Sequence, residues 1–214
     1  MKHSSAIKVV FLALLCVATL GAVHAASFVK GCIYLKNGSV IECGKNDRIK
    51  LPKRFGSVKL FREAYRKEQT KEIYRLNDID SIVCWHATTP EHRRKFIPSA
   101  EAGWLWIYFE TPYICVGVYS KKGYGIDNNG GIQIWHRQGM LSQSRTAYYL
   151  RKHGEQTFQS VGSASRNAKN TFRERIADYI QDDPELSSHI RQTHTNRNKT
   201  ILMLRDYVPT HPDH

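Results

Sequence analysis

Acidic residues are scarce in this 214-residue chain: 19 Asp and Glu stand against 32 Lys and Arg, a formal net charge of +13. The shortage disfavours basic partners and favours acidic ones, an inference about association and not about fold. Metal signatures are missing too. There is no HExxH. His189 and His194 lack the i, i+4 spacing of a helical zinc pair, and "GIDNNGG" lacks the spacing and closing Glu of an EF-hand loop, so it reads as a turn. No cofactor is implied. Downstream of residue 23 no apolar run reaches the roughly 20 residues that span a bilayer. Cysteine is sparse, with five in all.

The N-terminus carries the one long apolar run. Lys2 and Lys8 supply a positive flank, Val9 to Val23 the apolar stretch, and "VHA" the small residues a signal peptidase accepts. This pattern predicts a signal peptide over residues 1–25, cleaved after Ala25, and a periplasmic or secreted product. An uncleaved anchor is disfavoured by the shortness of the run and by Thr19 and Gly21. The product keeps 189 residues, enough for one or two modest domains.

Four cysteines, Cys32, Cys43, Cys84 and Cys115, follow the predicted cleavage point, an even number that permits disulfides in an exported protein. In "GCIYLKNGSVIECG" a two-residue turn at Asn37-Gly38 sets Cys32 opposite Cys43, with Cα atoms about 5.5 Å apart, within disulfide range. A three-residue "KNG" loop instead shifts the register by one, sets Cys32 against Glu42 and sends the two thiols to opposite faces. The alternation of side chains does not choose between a Cys32–Cys43 bridge and free thiols.

Further along, "NDRIKLP", "SVKLFR" and "EIYRL" read as short strands with charged reversals, a helix over residues 60–71 being the alternative. "NDIDSIVCW" is a strand launched from an Asn/Asp turn, with Ile79, Ser81, Val83 and Trp85 on one face and Ile82 and Cys84 on the other. Residues 26–95 thus predict a small, strongly bent antiparallel sheet or barrel. Pro90 and Pro98 mark a boundary. Residues 96–214 open with an aromatic-rich meander: Trp104 to Phe109, Tyr113 to Tyr119, "IQIWHR" and "TAYYLRK". Both faces of these strands are apolar, so both need covers. Three C-terminal helices can supply one cover. The first carries Phe172, Ile176, Tyr179 and Ile180, with Ser165 or Asn167 as cap; the second starts at Pro184 behind Asp183; the third carries Ile201, Leu202, Leu204 and Tyr207. The fold class is α+β, antiparallel sheet followed by three helices.

The "LKNGSVIECG" hairpin, "LNDIDSIVCW", "GWLWIYFETPYI" and the ending around "DDPEL" resemble secreted proteins of Gram-negative gut bacteria with no assigned function. The resemblance implies export. It carries over no catalytic residue.

Two surfaces are candidates for binding. The stretch from Lys45 to Glu72 holds ten basic and four acidic residues, and Lys50, Lys53, Arg54, Lys59, Arg62, Arg66, Lys67 and Lys71 are its candidate anion-binding residues. Trp104, Trp106 and Tyr108, at every second position of one strand, form either a ligand platform or a buried core. For catalysis, Cys84 and His86 share a strand face, but no orienting Asp or Asn accompanies them. Asp182 and Asp183 read as helix-capping residues. The sequence favours a non-catalytic binding or structural module whose partner is an anionic glycan, an envelope surface or another protein, with nucleic acid disfavoured; a secreted hydrolase is the alternative.

Overall fold

The opening hairpin uses the three-residue loop. In the computed structural model, which describes residues 28–120, 123–134, 146–163 and 169–210, Leu35 N donates to Ser39 O at 2.9 Å, and Gly38 sits at φ +85°. That left-handed backbone suits a residue without Cβ. Asn37 Oδ1 accepts from Ser39 N at 3.0 Å and tightens the turn. Cys32 consequently faces Glu42 across strands β1 (Phe28–Leu35) and β2 (Val40–Glu42). The Cys32–Cys43 bridge is thereby corrected: a one-residue offset turns the thiols to opposite faces, and Cys32, Cys43, Cys84 and Cys115 are all free. The predicted signal peptide lies outside the described residues.

Beyond the hairpin come β3 (Arg48–Lys50), β4 (Val58–Arg62), β5 (Thr70–Tyr74), β6 (Ile79–His86), β7 (Thr89–Ser99), β8 (Gly103–Glu110) and β9 (Ile114–Ser120). They are followed by β10 (Tyr124–Ile126), β11 (Ile132–Ile134), β12 (Thr146–Lys152) and β13 (Gln159–Ser163). The main sheet is antiparallel, in the order β13-β12-β9-β8-β7-β6-β1-β3-β4-β5, with β2 also on β1. It is open at β5 and β13, not closed into a barrel. β1 is the pivot. Its residues Lys30–Leu35 pair with β6, while Phe28 and Val29 pair with β3, so the β3-β4-β5 ribbon grows from the start of β1.

Residues 89–99, where the prolines suggest a boundary, form β7 and continue the sheet from β6 to β8. Pro98 is tolerated for a local reason. Its partner Trp104 directs its own N–H away, to Arg54 O at 2.8 Å, so this pair needs no hydrogen bond from position 98. In β6 the register slips between Tyr34↔Ser81 and Leu35↔Ile79, leaving Asp80 as an extra residue. The bulge returns Ile79 to the face of Ile82 and Cys84, and all three are buried in one core, correcting the simple alternation. The aromatic strands do not make a consecutive meander either: β11 pairs with β10 in a separate two-stranded sheet, and β12 returns to β9.

The core has three parts. One gathers Val29, Ile49, Leu60, Ile82, Phe96 and Trp104 together with Tyr124 and Ile126. Trp104 is fully buried and its indole N–H donates to Gly56 O at 2.8 Å, tying the β3–β4 connection to β8. Gly103 makes this approach possible: at φ +83° a Cβ would lie 2.0 Å from Arg54 O. The second part is the helical cover. α1 (Lys169–Tyr179), α2 (Pro184–Gln192) and α3 (Arg197–Met203) place Phe172, Ile176, Ile190 and Ile201 against Ile114, Val116, Leu150 and Val161 of β9, β12 and β13. Each such side chain contributes about 1.5 to 3 kcal/mol on burial. On the other face, Leu105, Ile107, Cys115 and Tyr119 pack with Phe158.

The helix starts follow local chemistry. Asp183 Oδ1 accepts from Leu186 N at 3.0 Å with Pro184 at the first helical position, and Asn196 Oδ1 accepts from Lys199 N at 3.0 Å to begin α3. The candidate caps Ser165 and Asn167 lie outside the described residues.

Candidate anion-binding face

Strand alternation sorts the basic residues of the ribbon. Val29, Ile49, Val58 and Leu60 point inward and are buried. The residues between them point outward. Register places Phe28 opposite Lys50, Lys50 opposite Lys59 and Lys59 opposite Ile73, one row across four strands. In the next row Arg48 faces Phe61, which faces Lys71. No carboxylate occupies any of these seven positions. Tyr65, in the β4–β5 turn, adds its ring beneath the Arg48 guanidinium at 5.1 Å. Phe28 and Phe61 meet edge to face with centroids 5.6 Å apart, and Lys50 Nζ lies 5.5 Å from the Phe28 centroid.

Like charges directly opposite on neighbouring strands are destabilising. Lys50 and Lys59 stand in that relation, and among the described residues no carboxylate pairs with either, nor with Lys71. Lys30, which follows on β1, has its pKa lowered by burial and by the Arg48 charge. Its ammonium donates to Gly44 O and Lys45 O, each at 2.6 Å.

The other candidate cations lie elsewhere. Arg62 turns to the ribbon's opposite side, donating to Asp47 at 2.6 Å and Glu72 at 2.7 Å. The Glu72 hydrogen bond, with that to Asp47, raises the Arg62 pKa despite partial burial. Burial alone pushes Asp47 up, but Arg62 and the N–H groups of Gly44 and Glu63 outweigh it and hold the carboxyl below its ordinary value. Glu72 is lowered by Arg62 and by Tyr74. Arg66 pairs with Glu63 at 3.1 Å, and Lys67 is exposed in the same turn. Lys53 and Arg54 belong to the β3–β4 connection, where Arg54 lies over the rings of Phe55 and Tyr119 at 4.8 and 5.4 Å. Three of the eight residues, Lys50, Lys59 and Lys71, thus share the face. Arg48, of the same basic stretch, joins them, as do Phe28, Phe61, Tyr65 and Ile73, none of which the sequence marks as a binding candidate. Their signal was present in "RIK", "VKLF" and "TKEI" as alternation within strands, but it emerges only when the strands are laid in register.

The aromatic strand offers little free ring surface. Trp104 is buried, while Trp106 and Tyr108 are half-buried and pack edge to face on each other at 5.5 Å. Tyr108 O–H donates to Asn198 at 3.1 Å. Cys84 is fully buried; burial, with a smaller contribution from Cys43, pushes its thiol far above the usual range, the reverse of what a nucleophile needs. His86 Nδ1 is engaged with Thr88 Oγ1 at 2.7 Å. Among the described residues no cluster of three metal-ligating side chains occurs, and no helix is long and apolar enough to cross a membrane.

A cleft of about 390 Å³ opens at the other end of the sheet, lined by Glu110, Thr111, Arg151, Lys152, His153 and Glu155 among others. Several of its charges are already used. Lys152 Nζ contacts Asp182 at 2.7 Å and lies over the Tyr179 and Tyr207 rings, Tyr207 O–H donates to Asp182 at 2.6 Å, and Tyr179 O–H donates to Glu155. These contacts fasten the C-terminal helices to β12. Compared with known proteins, the chain matches no family model, no curated protein and no solved structure.

Proposed function

We propose that the outward face of β1, β3, β4 and β5 is a polyanion-binding surface and that the chain works as an exported, non-catalytic binding module. One observation carries this reading: Lys50 and Lys59 stand directly opposite each other, with Lys71 nearby, in two rows whose seven positions hold no carboxylate. A fold that tolerates such repulsion without an internal counterion has a place for an external one. The leader-like N-terminus and the resemblance to secreted bacterial proteins support export, where anionic glycans and envelope surfaces are the abundant polyanions.

The test is binding to a soluble sulfated polysaccharide, with the wild type compared against Lys50→Gln/Lys59→Gln/Lys71→Gln. The wild type should bind, and its affinity should fall about tenfold or more as ionic strength rises from about 0.05 to about 0.3 M. The triple variant should lose most of that affinity while its thermal unfolding stays at, or slightly above, that of the wild type, since the Lys50–Lys59 repulsion goes with it. A wild type that ignores both this ligand and anionic vesicles, or a triple variant that binds as well as the wild type, refutes the proposal.

A further inference from the structure

We infer that the polyanion on this face is the headgroup layer of an anionic lipid surface; the inference rests on the binding-face reading above and names its occupant. Charge alone does not account for the outward rows. Phe28 is 43% exposed, Ile73 54% and Tyr65 78%, three of the six most exposed large apolar residues described; Phe28 and Ile73 stand opposite Lys50 and Lys59, and Tyr65 lies against Arg48. The first row is bounded by Phe28 at one end and Ile73 at the other, with Lys50 and Lys59 between. Its three strand spacings, about 4.8 Å each, separate the apolar ends by about 14 Å.

Side chains on a sheet stand roughly perpendicular to it, so these residues project together from one surface. An aliphatic side chain such as Ile73 has no stacking face or hydrogen bond to offer a sugar chain. In a lipid interface it and the two rings enter the boundary between headgroups and acyl chains, while the lysine stems lie along apolar surface with their ammonium groups among the phosphates. Charge complementarity selects anionic over zwitterionic lipid. β5 is an outer strand of the sheet, so nothing in the sheet order stands between this side of the face and a flat surface. Each lysine adjacent to an anionic membrane contributes about fivefold in affinity, which makes three lysines worth about a hundredfold.

The experiment is co-sedimentation of the chain as the cell delivers it with vesicles of phosphatidylglycerol and phosphatidylcholine, with vesicles of phosphatidylcholine alone, and in parallel with the soluble sulfated polysaccharide. Every variant shares the same N-terminus, so any segment before Phe28 is common to all arms. Expected are binding to the anionic vesicles and little to phosphatidylcholine. Ile73→Ser should weaken vesicle binding about fivefold and leave polysaccharide binding unchanged, and Ile73→Trp should strengthen vesicle binding and show a blue shift of emission on vesicles alone. Position 73 is exposed, so both variants retain the fold, which thermal unfolding checks.

Polysaccharide binding that survives with Ile73→Ser and Ile73→Trp indistinguishable from wild type on vesicles overturns the lipid inference and leaves the polyanion reading standing. Tighter binding to a single-stranded oligonucleotide than to anionic vesicles overturns it as well, and so does equal binding to phosphatidylcholine. Loss of both polysaccharide and vesicle binding sinks the two together.

Discussion

Lysine plays opposite parts at the two ends of this sheet. At the β12 end, Lys152 is held by Asp182, lies over two tyrosine rings and helps join the C-terminal helices to the strands. At the β5 end, Lys50, Lys59 and Lys71 face outward in register with one another or with apolar residues, and no carboxylate answers them. The same side chain is a structural tie where a second layer covers the sheet and an open charge where none does. Covering brings carboxylates and tyrosines within reach; a bare outward face leaves the charge for something outside the chain.

Substitution at the two ends should therefore move stability in opposite directions. Asp182→Ala strips Lys152 and Tyr207 of their partner and should cost about 2 kcal/mol in urea unfolding, since both donors are partly buried. A variant as stable as the wild type would mean that the tie is ornamental. Acid should reveal the next largest effect. Asp47, Glu72 and Asp182 all have carboxyl pKa values held below the ordinary range, so the stability they contribute is fully present above about pH 4, the range of unfolded carboxylates, and is lost as pH falls through their lower folded-state values. The urea midpoint should stay level from neutral pH to about pH 5 and drop below about pH 4, and Arg62→Met should shrink the drop. A midpoint that rises on acidification would contradict the sign. The smallest effect is a gain: Lys59→Thr relieves the repulsion from Lys50 and should add about 0.5 kcal/mol while weakening polyanion binding. Destabilisation by Lys59→Thr would show that the open lysines are structural after all.

Structure is most legible in the sequence where the chemistry is local. Pro184 behind Asp183 marks the start of α2, and the helical spacing of Phe172 and Ile176 marks the buried stripe of α1, with Ile180 buried just past its end. Alternation located most of the strands, yet it left the first hairpin between two registers. The difference between them is the backbone at Gly38, a choice of one residue that decides where every later side chain of β2 points. The bulge at Asp80 and the passage of β7 through Pro98 were hidden for a related reason: each depends on which neighbour's N–H or C=O is present, not on the residue alone. The basic stretch from Lys45 to Glu72 was visible as a count, but Arg62 and Lys59, three residues apart, ended on opposite sides of the ribbon, the first neutralised and the second bare.

From the residues alone came the antiparallel, helix-capped class of the fold, the excess of positive charge and the places where turns and helices begin, because these rest on periodicity, composition and contacts within a few residues. Only the assembled sheet decided which cysteines stay apart, which arginine is consumed by carboxylates and which lysines line up across strands. Those outcomes depend on register between segments distant in the chain, and register is set by the packing of whole faces and not by any one segment's preference.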